Sequence, residues 1–465
     1  MLVVYKRTAI SCIGILMLVL SAVGANAQKT VYSLSELVDS ASKYLPALRE
    51  KQALVNSARA GVIDAKHAYL PKLNVSDEVS IASANSLAGT YFPIAPVPST
   101  QGSITAENNS QAATGNTASI YGEYELVNFG LRDAKVNNAL AFQNLQQADF
   151  NKELYLVKLQ IGKIYFDILR NQYQLDVDAQ NIDRYQSIYT IIKALTGSGI
   201  NAGVDSSLAK AELSKTRVSY NQRFGTINQL TQQLSYLTGI AQANINIDTA
   251  TIKYAVATAS MFNNVNDTVN NPLIDYYTKQ KKLYQSTETL VKKSYLPKIL
   301  LAVGGWGRGS SIQYNEDYKA LSEGLGYQRY NYGAGVSFTY DLFNGVHKKD
   351  RLNVSRYQTQ ASDFGLQQQK LSLNNAAQQA DMAIRTAEQN LQELPIQLQA
   401  ATDAYYQKMA QYKAGIINLI DLTNASFVLY TAQSNYVSTL NDWYLANLNK
   451  AAAIGNLDSF IQTIK

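Results

Sequence analysis

The tetrapeptide Tyr69-Leu70-Pro71-Lys72 occurs twice in this chain, and its second copy, Tyr295-Leu296-Pro297-Lys298, begins 226 residues later. Two upstream prolines, Pro46 and Pro272, have the same offset. Each copy therefore opens with a proline that lies 25 residues before the proline of its tetrapeptide. A repeat on this scale predicts that one structural unit is present twice.

Other motifs extend the repeat, but their offset falls to 216 residues. Leu126-Val127-Asn128 matches Leu342-Phe343-Asn344, and GINAGVD at 199–205 matches GIINLID at 415–421. An indel of ten residues between the two sets of motifs explains the change of offset. The stretch 85–117 is rich in Pro, Gly, Ser and Asn, and a surface loop of this kind tolerates such an indel. The repeats are predicted at 28–240 and 272–465, with a linker at 241–271.

Each copy contains two segments in which apolar and polar residues alternate, as in a β-strand with two different faces. The clearest run has small or polar residues between Tyr330, Tyr332, Ala334, Val336, Phe338, Tyr340 and Leu342. Weaker alternation follows the first tetrapeptide and precedes Asn128, which predicts hairpins at about 73–128 and about 299–343. A half-buried sheet of a soluble protein gives the same alternation. Two such hairpins flanked by helices favour a membrane barrel, and four strands cannot close one, because even small membrane barrels use about eight.

Long segments after each hairpin have the seven-residue pattern of a coiled coil. At 131–197, apolar residues recur at spacings of three and four, and Asn171 and Asp178 occupy two positions of this seam. The seam residues are Leu154, Val157, Ile161, Ile164, Ile168, Leu175, Ile182, Tyr185, Tyr189 and Ile192. The segment 346–414 repeats the pattern, and we expect Pro395 to kink it. Each helix would extend roughly 100 Å at about 1.5 Å per residue. Shorter helices are predicted at about 204–238 and 421–452.

The N-terminus has the features of a secretory signal peptide at 1–27. Lys6 and Arg7 precede an apolar run, and Ala25-Asn26-Ala27 provides the predicted cleavage site. The only cysteine, Cys12, lies inside the apolar run, so lipid anchoring through it is not expected. The formal charge of +6 over 465 residues indicates no basic face for nucleic acid.

No catalytic residue, cofactor or metal site is predicted. The two histidines, His67 and His347, stand alone without a cysteine or carboxylate motif. The segment 304–309 (GGWGRG) is superficially like a phosphate loop, but it lacks the Lys-Ser/Thr ending of one. We interpret it as small residues of a barrel strand beside an interfacial tryptophan, Trp306.

Taken together, the tetrapeptides, the Leu-x-Asn exits at 126–128 and 342–344 and the turn that begins at Tyr412 resemble the TolC-like outer-membrane factor (outer membrane efflux protein) family. The resemblance extends over essentially the whole mature chain. It implies an α+β membrane protein that forms a homotrimer. Each chain would contribute four strands to a 12-stranded β-barrel, continued by a 12-helix coiled-coil α-barrel.

The resemblance also implies a place and partners for the protein. The barrel would lie in outer-membrane lipid, with a helical tunnel in the periplasm. The chain would be the passive channel of a tripartite efflux or type I secretion system. A periplasmic adaptor (membrane fusion) protein and an inner-membrane pump of the RND, ABC or MFS class would complete the system. A coiled-coil scaffold of the periplasm or cell surface, without channel activity, is the alternative, and an envelope enzyme lacks a predicted site.

In that family the turns between long and short helices form the periplasmic tip. The resemblance places gate candidates at Asp205, Asp421 and Asn424, where carboxylates of several chains would crowd a constriction. The candidates for the turn and the adaptor contact are Gly199, Gly203, Tyr412, Gly415 and Ile417. Either aspartate could instead be a helix N-cap. Asn424 and Ile417 stand where well-known members have Asp and Arg, so a gate latched by that charge pair is not implied.

Overall fold

The computed structural model describes residues 31–85, 107–199, 202–247 and 270–464. The predicted signal peptide, the stretch 86–106 and most of the predicted linker lie outside these ranges. The helices are α1 (Leu34–Tyr44), α2 (Pro46–His67), α3 (Leu131–Gly197), α4 (Gly203–Thr238), α5 (Pro272–Ser294), α6 (Asn344–Lys413), α7 (Leu419–Ile454) and α8 (Leu457–Thr463). The strands are β1 (Lys72–Ser83), β2 (Ala112–Val127), β3 (Lys298–Ser310) and β4 (Arg329–Thr339).

The chain divides into two compact units, and each unit contains segments from both sequence repeats. The described residues of the first unit fall within 1–54, 147–278 and 364–465, and those of the second within 55–146 and 279–363. The duplication in the sequence therefore does not correspond to two separate domains.

The second unit contains one antiparallel sheet with the strand order β1-β2-β3-β4. Residues directly opposite one another share a face of a sheet, so the register identifies both faces. One row across the strands is Val75, Ile120, Gly305 and Tyr332, and the row beside it is Ser76, Ser119, Trp306 and Asn331. The first row lies on a face dominated by apolar residues, the apolar face, and the second on the opposite face, the polar face.

The apolar face is uncovered over much of its area in the single chain. Val75, Tyr332 and Phe338 are 78%, 92% and 66% exposed. In a half-buried sheet of a soluble protein, side chains of this kind would pack on a core. Within the described residues, β1 and β4 each pair along one edge only. The sheet thus has a bare apolar face and two free edges.

Strand β4 ends earlier than the sequence alternation predicts. The alternation continues to Leu342, but the strand ends at Thr339. The Asp341 carboxylate accepts a hydrogen bond from the Phe343 amide at 3.2 Å, and this local Asx turn competes with continued strand pairing. Helix α6 follows at once, and it continues through Pro395 without ending.

The first unit is built from helices around two large buried apolar clusters and a small third one at Ala377, Ala453 and Ile454. In the larger cluster, Phe166 of α3 stacks on Tyr444 of α7 with ring centroids 5.2 Å apart, and Phe460 of α8 packs beside them. The second cluster joins α3, α4, α6 and α7 through residues that include Ile188, Leu213, Tyr405 and Leu422. Both large clusters include positions of the predicted α3 seam. None of the described helices combines the length and the apolar character that crossing a membrane requires.

Candidate functional site

The turn between α6 and α7 closes helix α6 by a Schellman motif. Gly415 has φ +74°, its amide donates to the Tyr412 carbonyl at 3.0 Å, and the Ile416 amide donates to the Gln411 carbonyl at 2.9 Å. These two bonds satisfy carbonyls that a helix end leaves unpaired. Gly415 is required here because a left-handed backbone costs other residues about 1–2 kcal/mol.

The turn between α3 and α4 has the same local geometry at the repeat-related positions. Gly199 has φ +75°, and its amide donates to the Thr196 carbonyl at 3.1 Å. Helix α4 then begins at Gly203, as α7 begins at Leu419. In the residues that the structure describes, the two turns therefore agree in the left-handed glycine and in the ends of the flanking helices.

Neither aspartate caps its helix, so the alternative interpretation of Asp205 and Asp421 as N-caps is wrong. The N-caps are Ala202 and Asn418, which puts both aspartates at the third helical position. The Asn418 side chain accepts a hydrogen bond from the Asp421 amide at 2.9 Å. The aspartates are in the first turns of α4 and α7, where a helix dipole favours negative charge.

The two carboxylates differ in exposure, and neither forms an ion pair with any residue that the structure describes. Asp421 is exposed, whereas Asp205 is half-buried. Asn424 is also exposed, one turn after Asp421 on α7. These groups can present oxygen atoms to solvent or to another chain.

Tyr412 and Ile417 support the turn rather than stand out from it. Tyr412 is 5% exposed and belongs to the second apolar cluster, and the half-buried Ile417 packs against the same cluster. The exposed apolar residues in the described parts of the turns are Val204, Leu208, Ile416 and Ile420, which are between 52% and 73% exposed. The sequence analysis missed them, although Val204 and Ile420 are repeat-related and each belongs to a pair spaced by four residues. Such spacing is the available signal for an apolar helix face.

Farther along α3, the two polar seam positions form a buried network. The Asp178 side chain is 1% exposed, and one of its oxygens accepts a hydrogen bond from Arg223 of α4 at 2.9 Å. The other accepts from the Tyr430 hydroxyl of α7 at 2.9 Å and from Gln174 at 3.3 Å. Arg223 also donates to Asn171 at 3.4 Å. Burial raises the pKa of Tyr430, and its bond to Asp178 raises that pKa further.

A second ionic group of the first unit joins α2 to α3. Asp149 forms ion pairs with Lys51 and Lys152, each at 2.7 Å, and the Lys152 ammonium lies 3.7 Å from the centre of the Tyr276 ring. Burial alone would raise the pKa of Asp149, but the two lysines outweigh burial and lower that pKa overall.

The sheet corrects the interpretation of Trp306 as an interfacial residue. Its row neighbours are Ser119 and Asn331, so the ring lies on the polar face rather than the apolar one. His67 and His347 belong to no group of metal-binding side chains in the described part of the chain.

Sequence comparison relates the chain to one family. The family model described as outer membrane efflux protein matches residues 37–240 and 268–456, which together span most of both repeats. No curated protein matches the sequence.

Solved structures with the same fold include three bacterial outer-membrane proteins. VceC of Vibrio cholerae is 12% identical with a TM-score of 0.73, and the match covers 91% of this chain and 96% of VceC. The CmeC outer membrane channel of Campylobacter jejuni is 16% identical with a TM-score of 0.71, covering 91% and 86%. The open-state MtrE outer membrane channel of Neisseria gonorrhoeae is 17% identical with a TM-score of 0.68, covering 91% and 89%.

Proposed function

Because the chain belongs to the outer membrane efflux protein family, we propose that three copies assemble into one export channel. The protein is a channel of the outer membrane and not an enzyme. In the proposed homotrimer, each chain contributes β1–β4 to one 12-stranded barrel, and the long helices of the three chains form a 12-helix periplasmic tunnel.

The observation that carries this proposal is the sheet with a bare apolar face and two free edges. Lipid would solvate the apolar face, and water in the lumen would solvate the polar face. Free edges within a membrane leave backbone groups without partners, which costs several kcal/mol for each group. Pairing β1 of one copy with β4 of the next removes this cost, and three copies give twelve strands.

We infer that the two repeat-related turns are the periplasmic tip. In a trimer, Asp205 and Asp421 would bring six carboxylates towards one axis, with Asn424 beside them. Crowded carboxylates attract cations and repel anions. The exposure of Asp421, and the lack of ion pairs of both carboxylates within the described chain, support this role. Because Ile417 is half-buried and apolar, the closed tip would be held by packing rather than by a salt bridge at this position.

The exposed surface of the turns is the proposed contact for a periplasmic adaptor protein. Gly199, Gly203 and Gly415 bring the backbone close to a partner, and Val204 and Ile420 add apolar area beside them. Tyr412 would not contact the adaptor itself, but would hold the turn in place by packing in the second apolar cluster. The adaptor would connect the channel to an inner-membrane pump of the RND, ABC or MFS class. The chain itself would reach the periplasm by secretion, with residues 1–27 removed as a signal peptide.

Native mass spectrometry of the protein released from lipid nanodiscs tests the assembly, and planar bilayers test the channel. We expect a mass of three chains and stepwise ionic currents. A single-chain mass together with silent bilayers would exclude the proposal. A trimer without currents would exclude only an open pore under those conditions, and variants at the tip should then produce currents.

A further inference from the structure

The polar face of the sheet carries a pair of opposed arginines that the export function alone does not require. At the loop end of the β3–β4 hairpin, Arg308 and Arg329 lie directly opposite each other. Both are exposed, and within the described residues neither forms an ion pair with a carboxylate. Like charges directly opposite on one face of a sheet destabilise it unless something neutralises them.

An aromatic surface lies next to the arginine pair. The Arg308 guanidinium carbon is 5.9 Å from the centre of the Trp306 ring. The ring extends across Gly333 of β4. A Cβ atom added to Gly333 would lie 3.7 Å from the nearest indole carbons. The indole N–H of Trp306 is buried and has no hydrogen-bond partner within the described residues. The positive charge of Arg308 and a flat aromatic ring thus lie next to each other on the polar face.

The other polar neighbours do not neutralise the pair. The row that contains Arg308 and Arg329 continues through Thr117 to Glu78 on β1. Glu78 is two strands from Arg308, about 10 Å at the usual strand spacing. The guanidinium of Arg329 donates only to the Gln328 carbonyl, at 3.3 Å, among the bonds of the described residues. Two cations therefore remain available to a ligand.

We propose that Arg308, Arg329 and Trp306 form a binding site for organic anions that carry an aromatic ring. A carboxylate fits between two guanidinium groups, which bind it by charge-assisted hydrogen bonds. The ring of such a ligand would lie against Trp306. The role of this site in transport rests on the proposed function, because only a closed barrel makes the polar face the wall of a passage. The site would then lie near the exit of the channel.

Binding can be measured without a functioning channel. The chain has two tryptophans, so the Trp443→Phe variant leaves Trp306 as the only one. In detergent, benzoate should change the emission of Trp306 with a saturable dependence, and benzyltrimethylammonium should not. Adding Arg308→Gln and Arg329→Gln should weaken benzoate binding at least about tenfold, the loss expected for hydrogen bonds to a charged group. Lys319→Gln is the matched control, since Lys319 is a nearby loop cation that already pairs with Asp317.

Currents provide the second measurement and keep the test independent of the Trp443 variant. Benzoate added on the loop side of otherwise wild-type channels should block the current, and the double arginine variant should be resistant. Equal benzoate responses in the wild type and the double arginine variant, in emission or in block, would overturn the site. Saturable binding to a protein that has a single-chain mass and is silent in bilayers would instead reject the proposed function and leave the site standing.

Discussion

Removing Arg223 should destabilise the helical unit far more than removing an exposed lysine from the same helix. Arg223→Met keeps most of the apolar stem of the side chain but deletes the charge that Asp178 faces. Because the Asp178 side chain is 1% exposed, water cannot replace the lost guanidinium without opening the packing of α3 against α4 and α7. The Tyr430 hydroxyl and Gln174 remain as donors, but neither carries a charge.

The expected magnitude follows from the burial of this pair. Removing one partner of a buried ion pair costs about 3–5 kcal/mol, because it leaves an uncompensated charge. The matched control is Lys215→Met on α4, whose ion pair with Glu212 spans 3.4 Å at an exposed site. An exposed pair contributes at most about 1 kcal/mol. The double variant Asp178→Asn with Arg223→Met should be more stable than Arg223→Met alone, since it has no orphaned charge.

Hydrogen–deuterium exchange measures this loss locally, without requiring reversible unfolding of the whole assembly. Peptides from α3 around Asp178 and from α4 around Arg223 should exchange more than about a hundredfold faster in Arg223→Met, which corresponds to 3 kcal/mol or more. The Lys215→Met protein should exchange at nearly the wild-type rate. Equal exchange in the two variants, or a double variant less stable than Arg223→Met, would refute the assigned role of the pair.

Three other outcomes follow from the structure. Gly415→Ala should lower the free energy of unfolding by about 1–2 kcal/mol, because φ is +74° at this position. Gly225→Ala, inside α4, should instead raise it by about 0.5–1 kcal/mol. Thermal unfolding that shows the same sign of change for both variants would contradict this expectation. Since the pKa of Asp149 is lowered in the folded protein, its contribution to stability should be complete above the unfolded pKa of about 3.9 and lost as pH falls below that value. Asp149→Asn should flatten this part of the stability–pH curve. An unchanged curve would exclude the Asp149 carboxylate as a source of the pH dependence. Asp421→Asn should reduce block by multivalent cations in planar bilayers, and unchanged block would remove Asp421 from the gate.

The periodic elements could be predicted from the sequence because each one buries or exposes a regular set of residues. Most positions of the predicted α3 seam are buried, and the seam also marked Asn171 and Asp178 as polar exceptions, but Tyr165, Phe166 and Ile188 are buried outside it. It could not identify Arg223 or Tyr430 as their partners. Those contacts depend on how three helices are rotated and shifted against one another, and no local spacing encodes this.

Alternation along single strands predicted two faces but not the pairing between hairpins. Trp306 was misinterpreted for this reason, since its segment is mostly glycine and offers no alternation to read. Only the register with Ser119 and Asn331 assigns its face. At the turns, glycine marked the chain reversals, whereas the cap function of Asn418 and the third-position aspartates depend on where each helix begins within one or two residues.

Disulfide cross-linking between the two free edges of the sheet tests the shared barrel most directly. The only cysteine, Cys12, is within the predicted signal peptide, so introduced cysteines can be studied alone. Ser76→Cys on β1 is combined with Asn331→Cys on β4. Further variants move the β1 cysteine in steps of two residues, which keeps it on the same face of the sheet and samples each register in which β1 of one copy can pair with β4 of the next. Ser119→Cys on the inner strand β2 with Asn331→Cys is the control. We predict cross-linked species of two and three chains that end at three, and no such series in the control. Single chains at every register, or a ladder that continues beyond three, would contradict the account.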